Sequence, residues 1–500
     1  MDLLQNLAMG FSIAATWYNL LFCFVGVFLG TLIGVLPGIG PTATVALLLP
    51  VTVSLSPETA MIMLAGIYYG SQYGGSTTAI LLNLPGEPSS AVTSLDGYAM
   101  ARQGRAGAAL MIAAFSSCFA GMVATAVIGF FAPALADVAL LFGPHEYFAL
   151  MVLGLIASIA LASGSFLKAL GMVILGLLLG LVGTDIYTAA PRFTLGQLAL
   201  ADGLDFVAVS IGIFGITEII RNLESPAGSA TVTAVSRMRL SMAELRQSIM
   251  PIVRGTGIGS ILGILPGGGA TLSSFVSYAV EKRVAREPAR FGKGAIEGVA
   301  GPEAANNAGA QTSFIPMLTL GLPSTPMMAL MIGALILQGI APGPNVITNN
   351  PGMFWAIIAS MCIGNIMLVV LNVPLVGVWV RLLSVPYAIL FPAIVTFACI
   401  GVYSISLSIA DLYTATFLGL LGYLFYRFDC EPVPLLLGFI VGPAVEEHLR
   451  RAMLVGRGDP LIFLERPISA SLLALAAIVI VVVLLPSISR GRKEVFIENA

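Results

Sequence analysis

Between Glu303 and Arg381 the chain runs for 77 residues without an Asp, Glu, Lys or Arg. Soluble domains carry about 25% charged residues, and this chain carries 10% overall, with 58% hydrophobic residues and a mean hydropathy of +0.98. It could not cover a surface in water with polar groups. Further uncharged stretches lie at 3–57, 106–136, 147–167, 255–280, 382–410 and 467–489, each long enough for a spanning helix of roughly 20 apolar residues. Most are rich in Leu, Val, Ile, Ala and Gly without period-two alternation, which favours helices over a β-barrel. The expected fold is an all-α polytopic membrane protein of about 10–14 membrane segments, some of them not full spans.

A net charge of −2 offers nothing to a polyanion, which argues against nucleic acid as a partner. His145 and His448, with the scattered Cys23, Cys118, Cys362, Cys399 and Cys430, form no metal-ligand spacing and no CxxC pair. No zinc, haem or iron–sulfur cofactor is expected. The first basic residue is Arg102, so a cleaved signal peptide with its cationic start is not expected either.

Cytoplasmic loops of membrane proteins carry an excess of Lys and Arg. Placing Arg102, Arg105, Lys168, the basic residues of 221–254 and 282–293, Arg381, Arg427 and the tail residues Arg490, Arg492 and Lys493 on the cytoplasmic side accounts for 18 of 23. Arg192, Arg450, Arg451, Arg457 and Arg466 fall outside. The segment 432–445 is short for a span, and its path decides the side of the tail. A polar loop at about 222–246 divides the chain into a first repeat at 1–221 and a second at 247–466. A C-terminal transmembrane helix and short tail occupy 467–500.

The two halves are related. Gly30-Thr-Leu-Ile-Gly-Val-Leu-Pro-Gly-Ile-Gly-Pro-Thr-Ala-Thr44 aligns with Gly259-Ser-Ile-Leu-Gly-Ile-Leu-Pro-Gly-Gly-Gly-Ala-Thr-Leu-Ser273 at a constant offset of 229, with seven identities in 15 positions. A second pair follows at a different spacing: Gly74-Gly-Ser-Thr-Thr78 with Leu84-Pro-Gly-Glu-Pro88, and Gly309-Ala-Gln-Thr-Ser313 with Leu322-Pro-Ser-Thr-Pro326. Pro removes an amide donor and Gly permits φ > 0, so Leu-Pro-Gly-x-Gly should interrupt its helix at membrane depth. The freed backbone groups must then be buried in protein or face water. Interrupted helices at matching positions of two repeats point to a transporter's substrate site. Gly26, Gly30 and Gly34, at four-residue spacing, read as packing glycines instead.

Basic clusters at both ends of 255–280 suit a re-entrant hairpin, whereas 17–50 has none at either end and suits a hairpin from the opposite face. Inverted repeats with broken or re-entrant helices follow. A single kinked span in each half would allow parallel repeats instead.

Gly34-Val-Leu-Pro-Gly-Ile-Gly-Pro41, Tyr69-Gly-Ser-Gln-Tyr-Gly-Gly-Ser-Thr-Thr78, Leu84-Pro-Gly-Glu-Pro88 and Gly301-Pro-Glu-Ala-Ala-Asn-Asn307 together resemble the large membrane (permease) subunit of the tripartite tricarboxylate transporters. The resemblance runs from about residue 16 to the Arg-Arg-Ala-Met segment after His448. It implies a permease of the bacterial inner membrane importing organic carboxylates. It further implies a small four-helix membrane subunit, a periplasmic solute-binding protein and an ion gradient, usually of sodium, as the driving force. No ATPase is implied, and the chain has no Walker-type GxxxxGK[ST].

The candidate motifs contain no Lys or Arg, and a cation at mid-membrane costs roughly 2.5–3.5 kcal/mol. Helix N-termini, equivalent to about half a charge each, and free backbone amides can hold an anion instead. Pro37, Gly38, Gly40, Thr42 and Thr44, with Pro266, Gly267, Gly268, Gly269, Thr271 and Ser273, are the candidate substrate-binding residues. Hard cations prefer oxygen, and Ser76, Thr77, Thr78, Asn306, Asn307 and Thr312 are the candidate ligands of a coupling ion, sodium or a proton. Serine and threonine in membrane helices also back-bond to their own carbonyls. Glu87 and Glu303 are candidate cation or proton carriers, whereas Glu58 and Glu218 sit near segment ends; an interfacial place is the alternative for all four. His145, Trp17, Trp355 and Trp379 read as interfacial.

Two other function classes remain open. An ion channel also uses broken helices, but normally repeats its filter around a symmetric oligomer. An intramembrane enzyme acting on lipid calls for a His/Asp/Glu cluster; the nearest is Glu446-Glu447-His448, beside Arg450 and Arg451.

Overall fold

The computed structural model describes residues 3–36, 40–139, 141–161, 165–185, 187–224, 238–265, 269–343, 345–382 and 387–484. Helix makes up 81% of it. Among the described residues the one sheet is a two-stranded antiparallel ladder pairing Gly183 with Arg192 and Thr184 with Pro191. The helices begin with α1 (Leu3–Ala14), α2 (Trp17–Val35), α3 (Pro41–Val53), α4 (Pro57–Leu82), α5 (Ala91–Met100) and α6 (Ala106–Ala139). Next come α7 (Pro144–Leu161), α8 (Phe166–Gly180), α9 (Phe206–Ser210) and α10 (Thr217–Glu224). After the polar loop follow α11 (Met242–Leu262), α12 (Gly269–Val284), α13 (Glu297–Thr312), α14 (Phe314–Leu320), α15 (Pro326–Leu337) and α16 (Asn345–Asn349). The chain continues through α17 (Pro351–Asn372), α18 (Val376–Leu382), α19 (Tyr387–Ser406) and α20 (Ile409–Arg427). It ends with α21 (Val433–Val455), α22 (Ile462–Glu465) and α23 (Pro467–Leu484).

Among the described residues, five stretches are long and apolar enough to cross a bilayer: Trp17–Val35, Pro88–Ala134, Phe206–Glu224, Pro351–Asn372 and Ile409–Arg427. Seven further apolar helices have 10–17 residues. The doubtful segment 432–445 is part of α21, a single helix of 23 residues whose last turns carry Glu446, Glu447, His448, Arg450 and Arg451. The chain forms two compact units, Met1–Ala136 with Glu218–Gly401, and Asp137–Thr217 with Val402–Ala500. Each takes one piece from either half of the sequence.

In the first unit α2 and α4 cross along glycines. A Cβ added to Gly26, Gly30 or Gly34 would penetrate the carbonyls of Met63, Ile67 and Ser71 respectively. Gly70 and Gly74 likewise sit against the carbonyls of Val27 and Thr31. This is the small-residue packing that lets membrane helices approach backbone to backbone. The partners ascend together, so α2 and α4 run parallel. Thr59 Oγ1 donates to Asn19 Oδ1 at 2.6 Å, which sets the two helix starts at one level. Between residues 36 and 57 the chain has therefore come back, and α3 is the returning arm.

The second half repeats the arrangement. Gly255, Gly259 and Gly263 are those three glycines displaced by 229, and they press on the carbonyl of Gly301, the carbonyl of Ala305 and the backbone of Gly309. α11 and α13 are thus parallel. Arg254 on α11 grips Glu281 on α12 with two hydrogen bonds of 2.8 and 2.5 Å, so α12 returns to the level that α11 left. Both segments are hairpins rather than kinked spans.

The central helices are α4 and α13. Every residue from Thr59 to Leu82 is buried, and so is every residue from Gly298 to Thr312. Ser76 Oγ lies 2.7 Å from Glu303 Oε1, while the ring of Tyr68 lies 6.3 Å from that of Phe314. Rising numbers on α4 meet falling numbers on α13 and α14, so these helices run antiparallel. Trp17 is exposed, as an anchor should be, but Trp355 and Trp379 are buried, which corrects their interfacial reading. Trp379 Nε1 donates to the Leu371 carbonyl at 2.9 Å, and the Trp355 backbone seats Gly10. A tryptophan inside an apolar run carries no local mark that separates a core from an interface.

In the second unit α8 and α21 interlock through Gly176 and Gly180 on one side and Gly438 and Gly442 on the other. The loop after α8 is tied to α21 by charge. Asp185 accepts from Arg450 at 2.7 Å, and Arg192 donates to Glu446 at 2.8 Å. Arg450 holds the Asp185 carboxyl below the ordinary aspartate range, helped by the Thr188 and Tyr187 amides. His145 is buried against Glu146 at 3.0 Å. Several basic residues are tied down locally. Arg192 and Arg450 share one cluster, Lys168 donates to the carbonyl of Phe428 beside Arg427, and in the first unit Arg105 reaches Glu244 and the Gly294 carbonyl.

Candidate functional site

The described helix ends flank the two Leu-Pro-Gly-x-Gly motifs. α2 ends at Val35, with Leu36 already extended, and α3 restarts at Pro41 behind Gly40. Proline at the first helical position lacks the amide that would be an orphan there. α11 ends at Leu262 and α12 restarts at Gly269, whose φ is +40°. Pro37, Gly38, Pro266, Gly267 and Gly268 lie outside the described residues. Each returning arm thus starts at a hairpin tip, where its amino end is positive. A Cβ at Gly40 would meet nothing within 4 Å, so this amino end borders open space; at Gly269 it would meet Thr325.

The hydroxyls flanking the tips are arranged alike. Thr44 donates to the Gly40 carbonyl at 3.2 Å and Ser273 to the Gly269 carbonyl at 2.6 Å, the same bond at an offset of 229. Both are back-bonds to the helix's own carbonyls. Thr42 is half-buried and Thr271 exposed.

The second motif pair is also equivalent in shape. α4 ends on Asn83 with φ 57° and α14 on Gly321 with φ 69°. Each left-handed cap is followed by Leu-Pro, then by an N-cap, Glu87 or Thr325, and then by a helix with Pro at its start. Glu87 and Ser90 form a capping box, while Thr325 accepts from the Met328 amide. The alignment from 83 to 88 runs without a gap against 321 to 326. Glu87 is buried; its Oε2 accepts from Gln72 Nε2 at 2.6 Å, and its Oε1 has no partner.

Glu303 is completely buried, not interfacial. Its carboxylate accepts from Ser76 Oγ at 2.7 and 2.9 Å, from Ser117 Oγ at 3.2 Å, and from Thr93 Oγ1. Asn307 Nδ2 donates to Ser117 Oγ at 2.6 Å and so turns that hydroxyl toward Glu303. Among the described residues no Lys, Arg or His pairs with Glu303. An ionised carboxylate out of water costs several kcal/mol even with hydrogen bonds. Beside it lies a cavity of about 20 Å³ lined by Tyr73, Ser76, Thr77, Ser117, Glu303 and Asn372, with Leu110, Ala113 and Ala114. A cavity needs roughly 10–15 Å³ for one water, so this one suits an ion and not a carboxylate solute.

Of the proposed cation ligands, Ser76, Thr77 and Asn307 gather around Glu303. Thr78 sits away from them, donating to the Val35 carbonyl at 2.9 Å, and Thr312 donates to the Ala308 carbonyl at 2.9 Å. The first bond joins α4 to α2, and the second stays within α13. Asn306 is buried with neither side-chain atom partnered. Thr93, Ser117 and Asn372 were not singled out in the sequence, each being one hydroxyl or amide in an apolar run without a motif around it; Tyr73 lies inside the Tyr69–Thr78 motif but was given no role there. Asp96 was missed for the same reason. Its Oδ1 accepts from the Gly294 and Ala295 amides at 2.8 Å each, and Tyr278 OH lies 3.0 Å from Oδ2, which pins the approach to α13.

Residues 20–437 match the Tripartite tricarboxylate transporter TctA family. One relative from Agrobacterium vitis, described as an uncharacterized 52.8 kDa protein in the TAR-I ttuC' 3'region, is 60% identical over 500 residues, all of both chains. Another from the same organism, an uncharacterized protein in the TAR-II ttuC' 3'region, is 61% identical over 241 residues, 48% of this chain and all of that one. No solved structure matches. With a family match over most of its length, parallel helix pairs built on one glycine register and two interrupted hairpins, the chain belongs to the tripartite tricarboxylate transporter TctA family.

Proposed function

We propose that the chain is the permease of an ion-gradient-driven secondary transporter that imports (tri)carboxylate-type anions across the bacterial inner membrane. Two partners complete it: a periplasmic binding protein that delivers the solute, and a small four-helix membrane subunit. The observation that carries the reading is the pair of helices α3 and α12, each starting at a hairpin tip inside one compact unit. Two such amino ends, whose first-turn amides have no partner within the helix, attract a carboxylate without the cost of burying Lys or Arg. The antiparallel course of α4 against α13, with each half internally parallel, supports inverted repeats. Rocking of one half against the other then exposes the site alternately to the two faces. Family membership supports the partner subunits and argues against an enzyme.

Reconstitution in proteoliposomes tests this. An inward sodium gradient together with the loaded binding protein should drive accumulation of a labelled carboxylate. Uptake without any partner subunit, or indifference to sodium and protons, would overturn it.

A further inference from the structure

We infer that the cavity beside Glu303 binds one dehydrated alkali cation of about sodium's size, with Glu303 as its counter-charge. The inference deepens the transport reading, since it places the coupling ion, but the measurement below needs no transport.

Its footing is a built site rather than a lone acid. Glu303 lies wholly inside the first unit, carries no cationic partner among the described residues, and receives hydroxyls from three different helices, α4, α5 and α6. Two further polar groups line the same cavity and are buried without any partner, Tyr73 OH and Asn372 Oδ1. Neither has a structural bond to make there, and both can present oxygen. With Ser76, Thr77 and Ser117 the wall offers hydroxyl, amide and carboxylate oxygens and no nitrogen cation or thiol. Such a shell replaces the hydration oxygens of a hard cation.

Size and charge narrow the occupant. A volume of about 20 Å³ admits a bare ion or a single water and excludes a hydrated one. One carboxylate balances one charge. Divalent ions are held by more acidic sets, and no group of three His, Cys, Asp or Glu side chains fit to hold a metal exists among the described residues. An anion is repelled by the same carboxylate. Occupancy would also fix α4, α5, α6 and α13 to one another at the level of the hairpins, which couples filling of this cavity to the geometry around the tips.

Equilibrium binding of radioactive sodium to the full chain in lipid nanodiscs tests the assignment, beside thermal melts in NaCl, KCl and choline chloride at constant ionic strength. The wild type should bind sodium saturably, one ion per chain, and melt higher in NaCl than in choline chloride. Glu303→Gln, which keeps shape and removes charge, should weaken binding at least tenfold. Ser117→Ala and Asn372→Leu should weaken it several-fold while eluting as folded protein, which covers a folding failure of the first variant. Sodium binding unchanged in all three variants would overturn the inference, as would a wild type stabilised by acid and indifferent to sodium. Sodium binding lost in Glu303→Gln without any carboxylate uptake would leave this site standing and count against the transport reading alone.

Discussion

Glu303 and Asp185 show how differently two buried carboxylates can be held. Asp185 sits in an ion-pair cluster with Arg450, Arg192 and Glu446 and accepts two backbone amides in its own loop. Its folded pKa lies below the unfolded value of about 3.9, so the stabilisation is complete above that value and fades as pH falls toward the folded one. Asp185→Asn should therefore lower the melting temperature throughout pH 5–8, with the gap from wild type closing below about pH 4. A gap that stays constant to pH 3 would show that the charge is irrelevant. Glu303 has hydroxyls and a cavity in place of arginines. Its motif, Gly-Pro-Glu-Ala-Ala-Asn-Asn, is visible in the sequence, but its partners Ser76, Thr93 and Ser117 stand 186 to 227 residues away. No local pattern could have assembled them. That α2 ends before the first Leu-Pro-Gly-x-Gly motif and α3 begins after it, and likewise α11 and α12 around the second, was readable because Pro and Gly act on their own backbone.

Among the helices, the glycine registers explain why the repeat survives in sequence at all. Gly26, Gly30 and Gly34, and their counterparts at 255, 259 and 263, are fixed by backbone contacts that any side chain would break. Position matters more than composition. Gly259 and Gly257 are two residues apart on α11, yet a Cβ at Gly259 would strike Ala305, while at Gly257 it would meet nothing within 4 Å. Gly259→Ala should cost about 1–3 kcal/mol in unfolding free energy. Gly257→Ala should be neutral or stabilising by up to about 1 kcal/mol. Melts of the two variants side by side decide it, and equal losses would refute the packing role. Four-residue spacing announced this use of glycine; the parallel pairing of α2 with α4 and of α11 with α13 was not legible, because spacing does not name the partner helix. The hairpin return of the 255–280 segment was foreshadowed by the basic residues at both of its ends, and one of them, Arg254, ties the outgoing arm to the returning one through Glu281.

For the molecule as a whole, each compact unit draws on both halves of the chain, which a sequential division at the polar loop does not anticipate. Such sharing is natural where two related halves interleave, and the proposed mechanism turns on how those halves are oriented. Ser54 and Arg283, separated by the repeat offset of 229, close the returning arms of the two hairpins and are both exposed. Single cysteines at these positions, in a background with the five native cysteines replaced, can be labelled with a membrane-impermeant maleimide on intact cells and on inverted vesicles. Inverted repeats predict that Ser54→Cys reacts from the periplasmic face and Arg283→Cys only from the cytoplasmic face. Reaction of both from the same face would contradict the account.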